Sequence, residues 1–237
     1  MRVLALDTST AACSAAIWDT ACVSGQLVSH RYKTMERGQS EALAPMIYEI
    51  LREAGAVVRD MDLLAVTTGP GAFTGVRIGL AMARSLGMSA ALPVLGVSTM
   101  EAVAHGVSEA ERAGAWVVVV MDTKRDDVYV QVFDPLLAPA SPPEIISPGE
   151  IMRALDGIPG NENILVAGDV AGRVGPYLSG PGRNIRVLQD IILPDAAVIA
   201  AISAAGAPPA PGAPFPTPIY LRPPYAKISP TGGKLRP

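Results

Sequence analysis

Leu63-Leu64-Ala65-Val66-Thr67-Thr68-Gly69-Pro70-Gly71-Ala72-Phe73-Thr74-Gly75-Val76-Arg77-Ile78-Gly79 is the stretch whose reading decides the fold. Its first four residues form a buried apolar strand, Gly69-Pro70-Gly71 a sharp turn, and Thr74 onward a helix start. A strand, a glycine turn and a helix N-terminus can together present backbone amides to an anion. The same glycines serve where the backbone turns, or where two elements pack too closely for a side chain. The run lacks both the Gly-Lys-Ser/Thr ending of a phosphate loop and the Gly-x-Gly-x-x-Gly of a dinucleotide fold, which favours packing over phosphate binding.

In the helix that follows, Gly75, Gly79, Ala83 and Gly87 form one stripe, flanked by Ile78, Met82 and Leu86 on one side and Val76 and Leu80 on the other. The apolar arc is roughly 220°, against the ~100° that packing on one sheet requires. Such a helix is expected to be covered on two sides, by its own domain or by a partner's helix approaching over the small residues. Upstream, Leu43, Met46, Ile47, Ile50, Leu51 and Ala54 recur at helical spacing before Gly55, with Tyr48, Glu49, Arg52 and Glu53 on the wet side. Pro45 predicts a kink there or a start later than Ser40. The two helices are expected on one half, where they make a docking face with Arg77 and Arg84 at its rim.

Around this centre, Arg2 to Asp7, Ala11 to Trp18 and Gln26 to Tyr32 read as three strands of an antiparallel meander, with a turn at Ser24-Gly25. Further strands are expected at Val94 to Val97, Trp116 to Asp122, Asp127 to Phe133, Ile164 to Val166 and Ile185 to Leu188. Ser98 with Glu101 is a capping-box pattern opening another helix, and Asp195 to Ala205 is an alanine-rich one. Pro208 to Pro224 holds eight prolines, excluding a regular helix or a central strand; it lies along the body or forms a disordered end. The fold class is α/β, with two subdomains that each combine a mixed sheet with flanking helices. They divide as 1–104, carrying the docking helices, and 105–237, ending in the proline-rich tail 208–237.

The 237 residues are 49% hydrophobic and 17% charged, which describes a packed globular chain. A net charge of −3 gives no overall attraction for nucleic acid, so a role in RNA chemistry is expected to depend on a partner. Cys13 and Cys22 match no zinc or redox spacing and read as idle thiols in a reducing compartment. The short apolar N-terminus is not a signal peptide, and the run Ala115 to Met121 is too short for a bilayer, so a cytoplasmic location is expected.

There are two histidines, His30 at a strand end and His105 on the wet face of a helix, and no His-x-x-x-His or His-Glu-x-x-His pair. No catalytic set and no metal set can be assembled from them. A carboxylate site would draw on Asp7, Asp122, Asp126 or Asp127, residues that equally serve as caps and turn formers. Asp7-Thr8-Ser9-Thr10 can hold magnesium and phosphate oxygens or make an ordinary turn. Asp7, Thr8 and Ser9 with Gly69, Gly71 and Gly168 make up a candidate vestigial nucleotide site for ATP or ADP with magnesium. Otherwise no cofactor is expected.

Leu4-Ala5-Leu6-Asp7-Thr8-Ser9, Ser40-Glu41-x-Leu43-x-Pro45, Gly69 through Gly79, Gly96-Val97-Ser98-Thr99, Asp122 through Tyr129 and Pro218-Ile219-Tyr220-Leu221-Arg222 together resemble the TsaB family of bacterial tRNA threonylcarbamoyladenosine biosynthesis proteins. The resemblance implies an actin and sugar-kinase type of fold, related to ribonuclease H. It implies a non-catalytic subunit that binds and activates a TsaD-type catalytic subunit, with a TsaE-type ATPase in the same complex. The product would be N6-threonylcarbamoyladenosine at position 37 of tRNAs reading codons that begin with A, and tRNA would be met only through the complex.

The docking face implied for the family falls here on Ser40 to Ala54 and Thr74 to Ala90. Its residues would be Glu41, Leu43, Met46, Ile47, Ile50, Gly75, Val76, Arg77, Gly79, Leu80 and Ala83, and the same face would pair two copies when the chain is alone. Gln39 stands where the family often has histidine, and Asp126-Asp127 where it has Gly-Glu. Two other classes stand beside this reading. One is a nucleotide-binding or nucleotide-hydrolysing enzyme of the sugar-kinase type; the other is a glycoprotease-like metallopeptidase, for which the residues supply no nucleophile, base and metal.

Overall fold

The computed structural model describes residues 1–21, 26–178, 182–190, 192–210 and 212–222. Cys22, the Ser24-Gly25 turn and the tail beyond residue 222 lie outside them. Strands β1 (Arg2–Asp7), β2 (Ala12–Asp19) and β3 (Gln26–Thr34) form the expected antiparallel meander. Helix α1 (Gln39–Glu53) leads to β4 (Leu63–Thr67), α2 (Phe73–Ala90) and β5 (Val94–Val97). The first sheet has the order β3-β2-β1-β4-β5, with β1, β4 and β5 parallel. Helices α3 (Thr99–Gly106) and α4 (Glu109–Arg112) cross to the second sheet.

That sheet is built from β6 (Trp116–Asp122), β7 (Val128–Phe133), β8 (Glu144–Ile146), β9 (Asn163–Ala167) and β10 (Asn184–Val187), in the order β10-β9-β6-β7-β8. Short helices α5 (Ile151–Ala154) and α6 (Ala171–Val174) cover its outer face, and α7 (Ala196–Ala205) follows. Two mixed five-stranded sheets with flanking helices make this the two-subdomain α/β fold of the actin and sugar-kinase type.

The central strands are apolar on both faces because helices cover both. In β1, Leu4 and Leu6 face α1 and α2, while Val3 and Ala5 face α7. The division at residue 104 assigns α7 to the second half, yet α7 packs on β1, β2 and β4 of the first. Small residues at Ala5, Ala16 and Ala65 let this alanine-rich helix come close, and α3 lies beside it against β6 and β7. The layers run from α1 and α2 through the first sheet, α7 with α3, and the second sheet to α5 and α6.

Three local expectations are corrected. Helix α1 starts at Gln39 and runs through Pro45, so it does not begin late. His30 sits inside β3 rather than at its end, paired with Asp195 at 2.7 Å. The Ser98 capping box is half made: Glu101 accepts from the Ser98 N–H, but the Ser98 hydroxyl is buried without a partner.

Candidate functional site: a cleft between the halves and the outer face of α1 and α2

The turn after β4 and the start of α2 are pinned to the end of β1. The Ala72 N–H donates to the Ser9 carbonyl at 2.8 Å, and the Thr8 hydroxyl donates to the Gly75 carbonyl at 2.7 Å. A Cβ on Gly71 would stand 2.3 Å from the Ser9 carbonyl oxygen, and one on Gly75 would stand 2.1 Å from that of Thr8. These glycines serve close packing, and at least one amide of the proposed anion cradle is already used.

Asp7 is fully buried. Its Oδ1 accepts from the Thr67 hydroxyl at 2.6 Å, the Ser9 hydroxyl at 2.7 Å and the Ser9 N–H at 3.1 Å, while Oδ2 has no partner. Burial pushes its carboxyl up to about 6 against the pull of those hydrogen bonds.

Beyond this turn a cleft of about 350 Å³ separates the halves, lined on one side by Ser9, Thr10 and Gly71 to Phe73 and on the other by Asp122 to Arg125, Tyr129 and Asp169. Of the residues proposed for a nucleotide site, Ser9 and Gly71 line it, whereas Asp7, Thr8, Gly69 and Gly168 do not. Gly168 is a packing glycine: its φ is +122°, and a Cβ there would stand 2.0 Å from the Val120 carbonyl oxygen. The charged groups of the cleft find hydrogen-bond or ion-pair partners within the protein. Asp122 meets Lys124 at 3.1 Å and Arg173 at 3.2 Å, Asp169 accepts from the Asp122 N–H at 2.9 Å, and Arg222 pairs with Asp127. A carboxylate sealed behind the wall and cations already matched do not fit a magnesium–nucleotide complex.

The outer helix face is made by different residues from those the stripe suggests. Gly75, Gly79 and Ala83 are buried against the protein's own first half, Val76 is buried beside the Gly69 turn, and Leu43, Ile47 and Ile50 are in the core. A Cβ on Gly79 would meet the Thr8 hydroxyl at 2.9 Å, so the small residues admit β1 and β4 rather than a partner helix. Met46 and Leu80 are half-buried, while Glu41 and Arg77 point outward.

Also exposed are Ala44, Tyr48, Phe73, Ala81, Arg84 and Met88. The Arg77 guanidinium stands 3.3 Å above the Phe73 ring centre, and Arg84 stands 5.5 Å from that of Phe215. Tyr220 stacks on Phe73, with ring centres 5.8 Å apart. Nothing in the local sequence signals the Phe73–Tyr220, Arg173–Asp122 or Arg222–Asp127 pairs, whose members lie far apart in the chain.

No helix among the described residues is long and apolar enough to cross a membrane, and no cluster of three metal-ligating side chains occurs among them.

Residues 32–204 match the family model described as TsaD, tRNA N6-adenosine threonylcarbamoyltransferase. The chain is similar to the tRNA threonylcarbamoyladenosine biosynthesis protein TsaB of Escherichia coli, 37% identical over 129 residues that make up 54% of this chain and 53% of that protein. The Haemophilus influenzae TsaB is 38% identical over 54% of this chain and 52% of its own length. The chain thus spans about half the length of the curated relatives it matches. Among solved structures, YeaZ from Pseudomonas aeruginosa is 28% identical with a TM-score of 0.76, the match covering 93% of this chain and 99% of that one. With the family model matched over most of its length, the chain belongs to the TsaD family, on the side of its TsaB members.

Proposed function

We propose that the chain is the non-catalytic subunit of a complex that forms N6-threonylcarbamoyladenosine at position 37 of tRNAs reading codons beginning with A. It docks to a TsaD-type catalytic subunit through the outer face of α1 and α2, and a TsaE-type ATPase completes the assembly. The observation that carries this is the open face of α2. It has no acidic residue over Phe73–Ala90, it exposes Phe73 and Met88, and its arginines stand over aromatic rings, the composition of an interface anchor. The sealed Asp7 supports the non-catalytic part, because a group that must meet substrate has to be reachable. The names of the relatives supply the substrate class.

Ala81→Arg, on the open side of α2, is expected to abolish co-elution with a TsaD-type subunit in gel filtration while leaving the circular dichroism spectrum unchanged. A folded variant that still co-elutes would overturn the docking face. Gly79→Arg would report only on folding, since that position is buried against Thr8 and Val66.

A further inference from the structure

After α7 the chain returns across the first half and runs without regular secondary structure from Phe215 to Arg222. Its contacts there are specific. Phe215 joins the core beside Gly87, where a Cβ would stand 3.1 Å from its ring, and Pro216 lies on Gly96, where a Cβ would stand 2.8 Å from it. The Ile219 N–H donates to the Thr68 carbonyl at 2.8 Å, and Tyr220 stacks on Phe73 under the Arg77 guanidinium. Two residues on, Arg222 leaves this half and pairs with Asp127 at the β6–β7 turn, where the Thr123 hydroxyl also donates to the same carboxylate. Both partners are mostly shielded, 22% and 28% exposed. Arg222, Tyr129 and Phe73 line the cleft between the halves, and the same three line a smaller hollow of about 130 Å³ together with Ile219 and Tyr220.

We propose that Phe215–Arg222 is a clasp that holds the cleft at fixed width and makes the two halves move as one body. On the first half the anchors are apolar or backbone groups, seated where Gly87 and Gly96 leave the backbone bare to receive them. On the second half the hook is a part-buried guanidinium–carboxylate pair, screened by solvent less than a fully exposed one. Prolines at 208, 209, 214, 216 and 218 restrict the free segment, so ordering it along the body costs less chain entropy than ordering an unrestricted one. A partner gripping α2 and this segment would therefore pull on the β6–β7 turn as well.

Hydrogen exchange read by mass spectrometry on the full chain alone tests the clasp without reference to any partner. Arg222→Gln is expected to speed exchange about tenfold at the β6–β7 turn (Thr123 to Val128) and at Thr68 to Phe73, leaving β1 and β9 unchanged. Asp127→Asn is expected to reproduce that pattern. Phe215→Ala, which removes the anchor but keeps the hook, is expected to loosen Thr68 to Phe73 more than the turn. Unchanged exchange at the turn in Arg222→Gln would overturn the clasp, and so would uniform acceleration over the whole chain, the mark of general destabilisation. Either result would leave the docking proposal standing, because gel filtration with the catalytic subunit decides that separately.

Discussion

Asp7 ends β1 with one carboxylate oxygen holding three hydrogen bonds and the other holding none. Burial displaces its pKa from 3.8 to about 6, so between those values the folded state binds the proton more tightly than the unfolded chain. Stability therefore falls as the pH rises through that window and stays lower above it, by roughly 3 kcal/mol at most. Asp7→Asn is expected to flatten this part of the profile in urea unfolding between pH 4 and pH 8; a variant that retains the wild-type slope would place the dependence elsewhere. Glycines behave according to their surroundings. Gly75→Ala would gain about 1 kcal/mol of helix propensity in open space, but here its Cβ meets the Thr8 carbonyl at 2.1 Å. It is expected to lower stability by about 2–3 kcal/mol in chemical denaturation, whereas Gly157→Ala, with nothing within 4 Å, should be near neutral. The need for glycine at 71, 75 and 79 was legible in their spacing. What they accommodate was not, since Thr8 and Ser9 lie more than sixty residues earlier in the chain.

Among the elements, α7 is tied down at its start by two side chains: the Ser14 hydroxyl of β2 accepts from the Ala196 N–H at 2.9 Å, and Asp195 is the other. Asp195 accepts from the Ala197 N–H at 2.9 Å as the helix cap, and it also holds His30 of β3 at 2.7 Å. Asp195→Ala is expected to cost about 1–2 kcal/mol in chemical denaturation, the size of a lost N-cap, and Asp195→Asn should recover most of it by keeping the cap. A cost below ~0.3 kcal/mol would mean that α7 is held by its apolar face and the Ser14 hydroxyl without help from Asp195. Periodicity located α1, α2 and α7 and nine of the ten strands because each has an apolar pattern long enough to read. It missed β8, α5 and α6, which have three or four residues each and too few for any period to show. It read the stripe on α2 correctly as a close-packing line and left open whether the protein's own sheet or a partner covers it, since a periodicity identifies the apolar side without saying what lies against it.

At the scale of the whole molecule, two sheets of the same plan face each other across α7 and α3, and the chain crosses between them more than once. The later crossing carries α7 back to the first sheet, and the clasp continues the return, so that the surface around Phe73 combines residues some 140 positions apart. The clasp proposal rests on that return, and the docking proposal on the open face of α2. By itself the sequence determined the meander, the strand–turn–helix unit and the apolar faces of the long helices, because hydrophobic period and glycine sterics act over a few residues. It also carried the family, through motifs whose residues are close in the chain. Only the tertiary structure decided that Asp7 is sealed, that the glycine stripe faces inward, that α7 belongs to the first sheet and that Arg222 reaches Asp127. Each of these depends on which distant segment fills a given space, and that is set by the packing of whole elements rather than by any local pattern.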